Sequence, residues 1–219
     1  MYREYRPGGD TVDSVWTSTR HGVQRVVPDG CMDVMWINGE LLVAGPDTAA
    51  FLARIDGTVY GVRFRHGVAP GFLGVPASEL TNTRVPLTDL WTPDRVDRLV
   101  TDIHAGQPGR ALLDAAQPAE PDDFAQVVLA NLDTDIRELA FRLGLSERQL
   151  HRKCLAKFGY GPKVLHRVLR FGQALDLAYD GRSFADIAYE IGYADQAHLS
   201  REVKSLAGTT LTEMVTSAA

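Results

Sequence analysis

The chain has 219 residues, 45% of them hydrophobic, and a formal net charge of −5. That suffices to bury sizeable cores, most simply in two domains. No apolar run approaches the ~18 residues of a membrane span, residues 1–5 lack the apolar core of a signal peptide, and two cysteines, Cys31 and Cys154, make neither a disulfide framework nor a four-ligand zinc site. A soluble, cytoplasmic protein without a membrane partner is expected.

The first 20 residues are polar, with Pro7-Gly8-Gly9 as a turn and a weak strand pattern over 12–17. From Val23 onward short strands alternate with turn signals. They are a strand over 23–27, the Pro28-Asp29-Gly30 turn, a strand over 31–37, Asn38-Gly39 as a tight hairpin turn, and a strand over 40–44 closed by Gly45-Pro46-Asp47. Segments 51–55 and 59–64 flank Asp56-Gly57 and read as a further hairpin. Short helical pieces at 71–73 and 77–80 precede Val85-Pro86-Leu87. Thr92-Pro93-Asp94 reads as the N-cap and first turn of an amphipathic helix carrying Val96, Leu99, Val100 and Ile103. Gly106-Gln107-Pro108 ends it, and a second helix covers 110–116. The pattern predicts a small antiparallel β domain with one or two helices over 1–116.

Chemistry is sparse in this half. His21, Asp29, Cys31, Asp33 and His66 are the candidate metal ligands, and two histidines and one cysteine over 46 positions define no site. Cys31 reads as a buried small hydrophobe rather than a redox sensor. Arg63 and Arg65 alternate on a strand and read as solvent-facing, with a ligand carboxylate as the alternative. Trp16, Trp36 and Trp91 read as core. No metal or cofactor is expected.

Gln117-Pro118-Ala119-Glu120-Pro121-Asp122 is a proline-rich acidic linker, and 123–219 forms an all-α domain that opens with a supporting helix over 124–132. Residues 135–204 contain one pattern twice. The first copy carries Leu139-Ala140, Gly144-Leu145-Ser146 and Leu150-His151-Arg152; the second carries Ile187-Ala188, Gly192-Tyr193-Ala194-Asp195 and His198-Leu199-Ser200-Arg201. Ala140 and Ala188 lie 48 residues apart, as do Gly144 and Gly192, while Arg152 and Arg201 are 49 apart. Each copy has the physics of a helix-turn-helix. A small alanine lets a second helix cross closely, and a glycine ends the first helix in the left-handed conformation. Leu145 or Tyr193 plugs the turn, and Ser146 or Asp195 caps the next helix. Leu150, Cys154, Leu199 and Val203 face inward. Between the copies, Pro162 opens a connecting helix with Leu165, Val168, Leu169 and Leu175 at helical spacing, running to about Tyr179 before Asp180-Gly181. The whole is an α+β chain.

On these residues, together with Lys204, Gly208 and Gly159-Tyr160-Gly161-Pro162, residues 122–217 resemble the DNA-binding domain of the AraC/XylS family of transcription regulators. Leu211, where the family usually has proline, and Cys154 and Val203, where it usually has phenylalanine, depart from the pattern as packing changes. The first half also resembles a domain: Val27 to Asp33, Ala44-Gly45-Pro46, Tyr60 to Arg65 and Leu73 to Leu80 are similar to an uncharacterised β-rich domain often fused ahead of AraC-type DNA-binding domains. Such N-terminal domains are sensory or dimerising and frequently cupin-like; this one is short for a full cupin and lacks clustered histidines.

The resemblance implies a sequence-specific transcription regulator of bacterial type. Its partner is double-stranded operator DNA, and it admits RNA polymerase, a small-molecule effector and a homodimer. The charge distribution agrees. Residues 137–170 hold nine Lys/Arg against Glu138 and Glu147, whereas 171–219 hold three basic and seven acidic residues, so the first copy is placed to supply more phosphate attraction and the second more base reading. Candidate DNA contacts are Ser146, Arg148, Gln149, His151, Arg152 and Lys153 on a recognition helix over about 146–157, and Gln196, His198, Ser200, Arg201 and Lys204 on a second over about 195–206. Arg152 and Arg201, equivalent in the repeat, fit a shared phosphate or intramolecular role. Gln149, Gln196 and His198 fit base reading, since amides pair adenine in the major groove. Asp186 and Asp195 read as caps or ion-pair partners. No nucleophile elbow, phosphate loop or paired-histidine motif appears, and two cysteines are too few for the repair module found in some relatives, so no enzymatic activity is expected. The competing reading is a small-molecule-binding or dimerisation protein whose DNA-binding domain has decayed.

Overall fold

The computed structural model describes residues 1–116 and 123–218; the expected linker, 117–122, lies outside the described residues. The first half is a six-stranded antiparallel sheet, order β1-β2-β5-β3-β4-β6. Its strands are β1 (Tyr2–Tyr5), β2 (Val12–Val26), β3 (Asp33–Ile37), β4 (Glu40–Ala44), β5 (Phe51–Phe64) and β6 (Arg84–Pro86). Asn38 and Gly39 both have positive φ, 50° and 85°, and join β3 to β4 in the two-residue turn that their sequence specifies.

Two expectations fail in an instructive way. The weak pattern at 12–17 and the strand at 23–27 belong to one strand, and the Asp56-Gly57 hairpin does not exist. Asp56 and Gly57 pair with His21 and Arg20 inside a ladder that runs from Val26↔Phe51 to Val12↔Phe64. A turn signal is only a local preference, and here a partner strand offers hydrogen bonds along the whole segment, so the chain stays extended.

These long strands cannot be straight. Val26 pairs with Phe51 and Asp33 with Arg63, positions that a straight β5 would hold about 40 Å apart. The stretch from Val26 to Asp33 can bridge at most about 25 Å. The β2–β5 ribbon therefore curls along its length, and Gly22 within it has a φ of 92°. Gly61 has a different reason to be glycine. A Cβ there would lie 2.3 Å from the Trp16 ring, which crosses that backbone, and Trp16 Nε1 then donates to Asp33 Oδ1 at 3.1 Å.

Helices α1 (Ala69–Leu73), α2 (Pro93–Ala105) and α3 (Pro108–Ala115) belong to this half. Val96, Leu99, Ile103, Leu112 and Leu113 close one core with Val12, Val15, Val34, Trp36 and Val62. Thr92 enters α2 in extended conformation ahead of Pro93, but its hydroxyl makes no cap bond, so the cap expected there is lost and proline alone starts the helix.

The second half is α4 (Asp123–Ala130), α5 (Ile136–Arg142), α6 (Glu147–Phe158), α7 (Pro162–Tyr179), α8 (Phe184–Glu190), α9 (Gln196–Ala207) and α10 (Leu211–Ala218). Its separate core gathers Leu139, Ala140, Leu150, Cys154, Leu165, Val168, Phe171, Ile187, Ala188, Leu199 and Val203. Cys154 and Val203 are fully buried, and Leu211 is buried at the start of α10, so the departures from the family pattern are packing residues.

The two halves also meet. Val27 packs into the helical core, and the ring of Phe158 lies where a Cβ on Gly67 would point. The buried Tyr160 donates to the Asp47 carbonyl at 2.5 Å, while the Asp47 side chain pairs with Arg84 at 2.6 Å. Replacing Tyr160 with Phe leaves that carbonyl unpaired and is expected to destabilise the protein by about 1–2 kcal/mol. Urea unfolding of the variant checks this, with a lowered midpoint at unchanged slope as the expected result.

Candidate DNA-interaction surface

Each helix-turn-helix is assembled from short-range signals. Gly144 and Gly192 have φ of 65° and 76°, and the residue after each donates back across the turn: Leu145 N to Ala140 O at 2.9 Å and Tyr193 N to Ala188 O at 2.8 Å. The two units thus repeat the same main-chain bond. Ser146 caps α6 in a full capping box, its hydroxyl accepting from Gln149 N while Gln149 Oε1 accepts from Ser146 N. Asp195 caps α9 by accepting from His198 N at 2.6 Å, and Ser183 and Asp186 make the equivalent arrangement at α8. The cap roles expected of Ser146, Asp186 and Asp195 are therefore occupied.

The outward faces carry the candidate contacts. Arg148, Gln149, His151, Arg152 and Lys153 are exposed on α6; Gln196, Ser200, Arg201 and Lys204 are exposed on α9, with His198 half-buried. Among the described residues Arg148, Arg152, Arg201 and Lys204 have no ion-pair partner. Of the two roles open to the equivalent Arg152 and Arg201, the intramolecular one is thus unfilled. Lys153 lies over the Phe124 ring at 5.2 Å, and the Gly161 backbone approaches the His151 ring so closely that a Cβ there would overlap it.

The base-reading candidates differ in freedom. Gln196 is unconstrained, whereas the Gln149 carbonyl oxygen is committed to the capping box, leaving its NH₂ outward. His198 Nδ1 accepts from Ala194 N at 3.3 Å, and its ring stands edge-on to Tyr193. Acceptance at Nδ1 places the proton on Nε2, so His198 presents a donor. The Ser-x-x-Gln spacing of Ser146 and Gln149 is itself the capping-box signal, so this engagement was readable from sequence. The excess of basic charge over 137–170 is also smaller at the surface than its count. Arg137 pairs with Glu147 at 3.2 Å, Arg142 with Glu138 at 2.9 Å and Arg167 with Glu202 at 2.5 Å, and Arg170 covers the Tyr193 ring.

Sequence reasoning missed the residues by which the first half grips the recognition helices. Both α6 and α9 end at left-handed glycines, Gly159 and Gly208, and each end is held. At α6, Thr81 Oγ1 donates to Gly159 O at 3.2 Å, next to the Tyr160–Asp47 bond. At α9, Arg25 donates to Ala207 O and the Ala50 amide to Leu206 O, both at 2.7 Å. Carbonyls at a helix C-terminus lack intrahelical donors and carry partial negative charge, so a guanidinium and an amide suit them. No local sequence signal marks these partners, which lie far from them along the chain.

Between the halves runs a cleft of about 610 Å³ bordered by Asp29, Cys31, Arg63, Arg65 and His66 on one side and by α4 and α7 on the other. The expectation of a solvent-facing Arg63 is overturned: it bridges Asp29 and Asp33, both at 3.1 Å, because the Trp16 bond and the β3–β5 register bring Asp33 beside it. Arg65 is exposed and borders the cleft. Cys31 Sγ lies 3.5 Å from His66 Nε2, which also contacts the Asp29 carbonyl at 3.0 Å. Among the described residues no group of three or more His, Cys, Asp or Glu side chains could hold a metal ion, and no helix is long and apolar enough to cross a membrane.

Burial, then the nearby Asp29 charge, push the Cys31 thiol well above its ordinary range, and burial pushes Cys154 up to about 12. A thiol with a raised pKa stays protonated and unreactive until the pH approaches that value. Both cysteines are therefore expected to react with a disulfide probe at pH 8 at least tenfold more slowly in the native protein than in urea; equal rates would show an accessible thiolate.

A helix-turn-helix domain model matches residues 139–217, and a model described as a domain of unknown function (DUF6597) matches residues 9–86. No curated protein matches the chain. Among solved structures, apo ToxT from Vibrio cholerae strain SCE256, a lysine-to-alanine variant, is similar over 97% of this chain and 99% of its own, with TM-score 0.51 and 12% identity. ToxT from Vibrio cholerae O395 bound to (E)-4-(8-methylnaphthalen-1-yl)but-3-enoic acid covers 100% and 99%, with TM-score 0.51 and 10% identity. At such identity the likeness concerns the fold: a β domain followed by two helix-turn-helix units, in the same order over nearly the full length of both chains. The chain thus carries an AraC-type helix-turn-helix domain over residues 139–217 behind a DUF6597 domain over residues 9–86, the make-up of a DNA-binding transcription regulator.

Proposed function

We propose that α6 and α9 enter two successive major-groove faces of one operator, and that the N-terminal domain controls how well they do so. The observation that carries this reading is the pair of unpartnered, repeat-equivalent arginines, Arg152 and Arg201, on two capped helices sharing one support. That support, α7, has 18 residues and is about 27 Å long, which suits recognition helices about 34 Å apart, one turn of DNA. Arg148, Arg152, Arg201 and Lys204 position the protein on phosphates, and Gln196, with the donors of Gln149 and His198, reads bases. His151, Lys153 and Ser200 border the same faces, and Ser146 offers the α6 N-terminus to a phosphate. Contact with RNA polymerase follows once the protein sits at a promoter.

Control comes from the grip on both helix ends. Releasing Arg25–Ala207 or Tyr160–Asp47 frees one helix-turn-helix from the N-terminal domain, so any molecule bound between the halves changes operator affinity. The ToxT structure named above holds a carboxylic acid, which supports a small-molecule effector here without specifying its class.

The test is binding of the purified protein to its own upstream DNA and to random duplexes across a salt series. Selective binding with a steep salt dependence is expected. Changing Arg152 to Ala should weaken affinity for all sequences by about 1.5 kcal/mol, roughly tenfold, and reduce the salt slope by about one. An unchanged slope removes the phosphate role, and no binding by full-length protein or by residues 122–219 brings forward the decayed-domain reading.

A further inference from the structure

The cleft between the halves is a feature that the DNA surface does not use, and its chemistry is specific. At about 610 Å³ it falls within the range of small-molecule sites. The groups of its floor are engaged with one another, because Arg63 is held by Asp29 and Asp33 and His66 is held against Cys31 and the Asp29 carbonyl. The remaining charges on its rim have no ion-pair partner among the described residues, and they are of both signs: Arg6 and Arg65, then Asp10, Asp13 and Asp176. Gln126 and Gln173 add amides from α4 and α7.

Gly172 is the second, independent observation. It sits in the middle of α7 and borders the cleft, yet a Cβ built there meets nothing within 4 Å. Packing does not require glycine, and a helix interior disfavours it. What the missing side chain does provide is room in the cleft.

We propose that this cleft binds a small zwitterionic metabolite of the amino-acid class, its carboxylate on Arg65 and Arg6 and its ammonium on Asp176, with Asp10 and Asp13 at the same rim. A guanidinium presents paired donors to a carboxylate, and an ammonium needs acceptors, which Asp176 and the two glutamine carbonyls supply. A long hydrocarbon chain fits poorly, since burying it would desolvate these charged groups without pairing them. Because Arg65 belongs to the N-terminal domain and Asp176 to α7, one bound molecule ties the β domain to the helix that carries both recognition units. The proposal rests on the regulator reading for its consequence but not for its chemistry.

The experiment uses the full-length protein without DNA: the twenty common amino acids are tested one by one, beside n-butyrate, n-butylamine and oleate, by thermal shift and calorimetric titration. The expected result is saturable binding of at least one amino acid and not of the singly charged controls, weakened at least tenfold by Arg65→Ala and by Asp176→Asn. Gly172→Phe, which fills the cleft from a position with open space around it, should abolish it. No saturable binding of any amino acid at 10 mM, a preference for oleate, or affinity indifferent to Arg65→Ala and Asp176→Asn each overturns the proposal. Operator titration of the same samples reads the regulator function separately, so a protein that binds DNA but no amino acid fails here alone.

Discussion

Both helix-turn-helix units depend on one buried stripe. Leu165, Val168, Phe171, Leu175 and Ala178 recur along α7 at helical spacing, and all are buried. An isolated helix of seven residues, the length of α5 or α8, is far too short to be stable in water. Each persists because it packs, through Ala140 or Ala188, within the core that α7 organises. The spacing and orientation of the two recognition helices are thus properties of α7, and the DNA surface inherits its rigidity.

The N-terminal domain adds a second constraint on the same two helices. It contacts α6 and α9 where they end, away from their capped N-termini. Its own shape makes this possible: curling of the β2–β5 ribbon brings Arg25 and Ala50 to α9 while the β4 end delivers Asp47 to Tyr160. The Trp16–Asp33–Arg63–Asp29 chain of hydrogen bonds and ion pairs ties that shape to the cleft wall. Charge buried in this way is positioned by several partners at once, so movement of one member is transmitted to the rest.

What the sequence made legible divides by distance along the chain. The glycine turns at Gly144 and Gly192, the caps at Ser146 and Asp195 and the extent of α7 are all encoded within a few residues of where they act, and each is found as read. The Asp56-Gly57 turn was misread because its local preference lost to a ladder with residues some 35 positions earlier. Arg63 was misread as solvent-facing for the same reason, since Asp33 reaches it only through the sheet register. Within the DNA surface, outward positions were legible from periodicity. The commitment of Gln149 to its cap and the Arg142–Glu138 pair lie within a few residues of each other along the chain, whereas the ion pairs that take up Arg137 and Arg167 join different helices and required those helices to be in place.

The bonds at the ends of α6 and α9 share one property. Gly159, Leu206 and Ala207 all contribute main-chain carbonyls, and no side chain of either recognition face takes part in these bonds. The β domain therefore grips the shape of these helices and is blind to the letters written on them. Outward residues can be exchanged while the connection to the β domain stays intact. Such an arrangement lets the outward faces of the helices and their attachment to the β domain diverge independently.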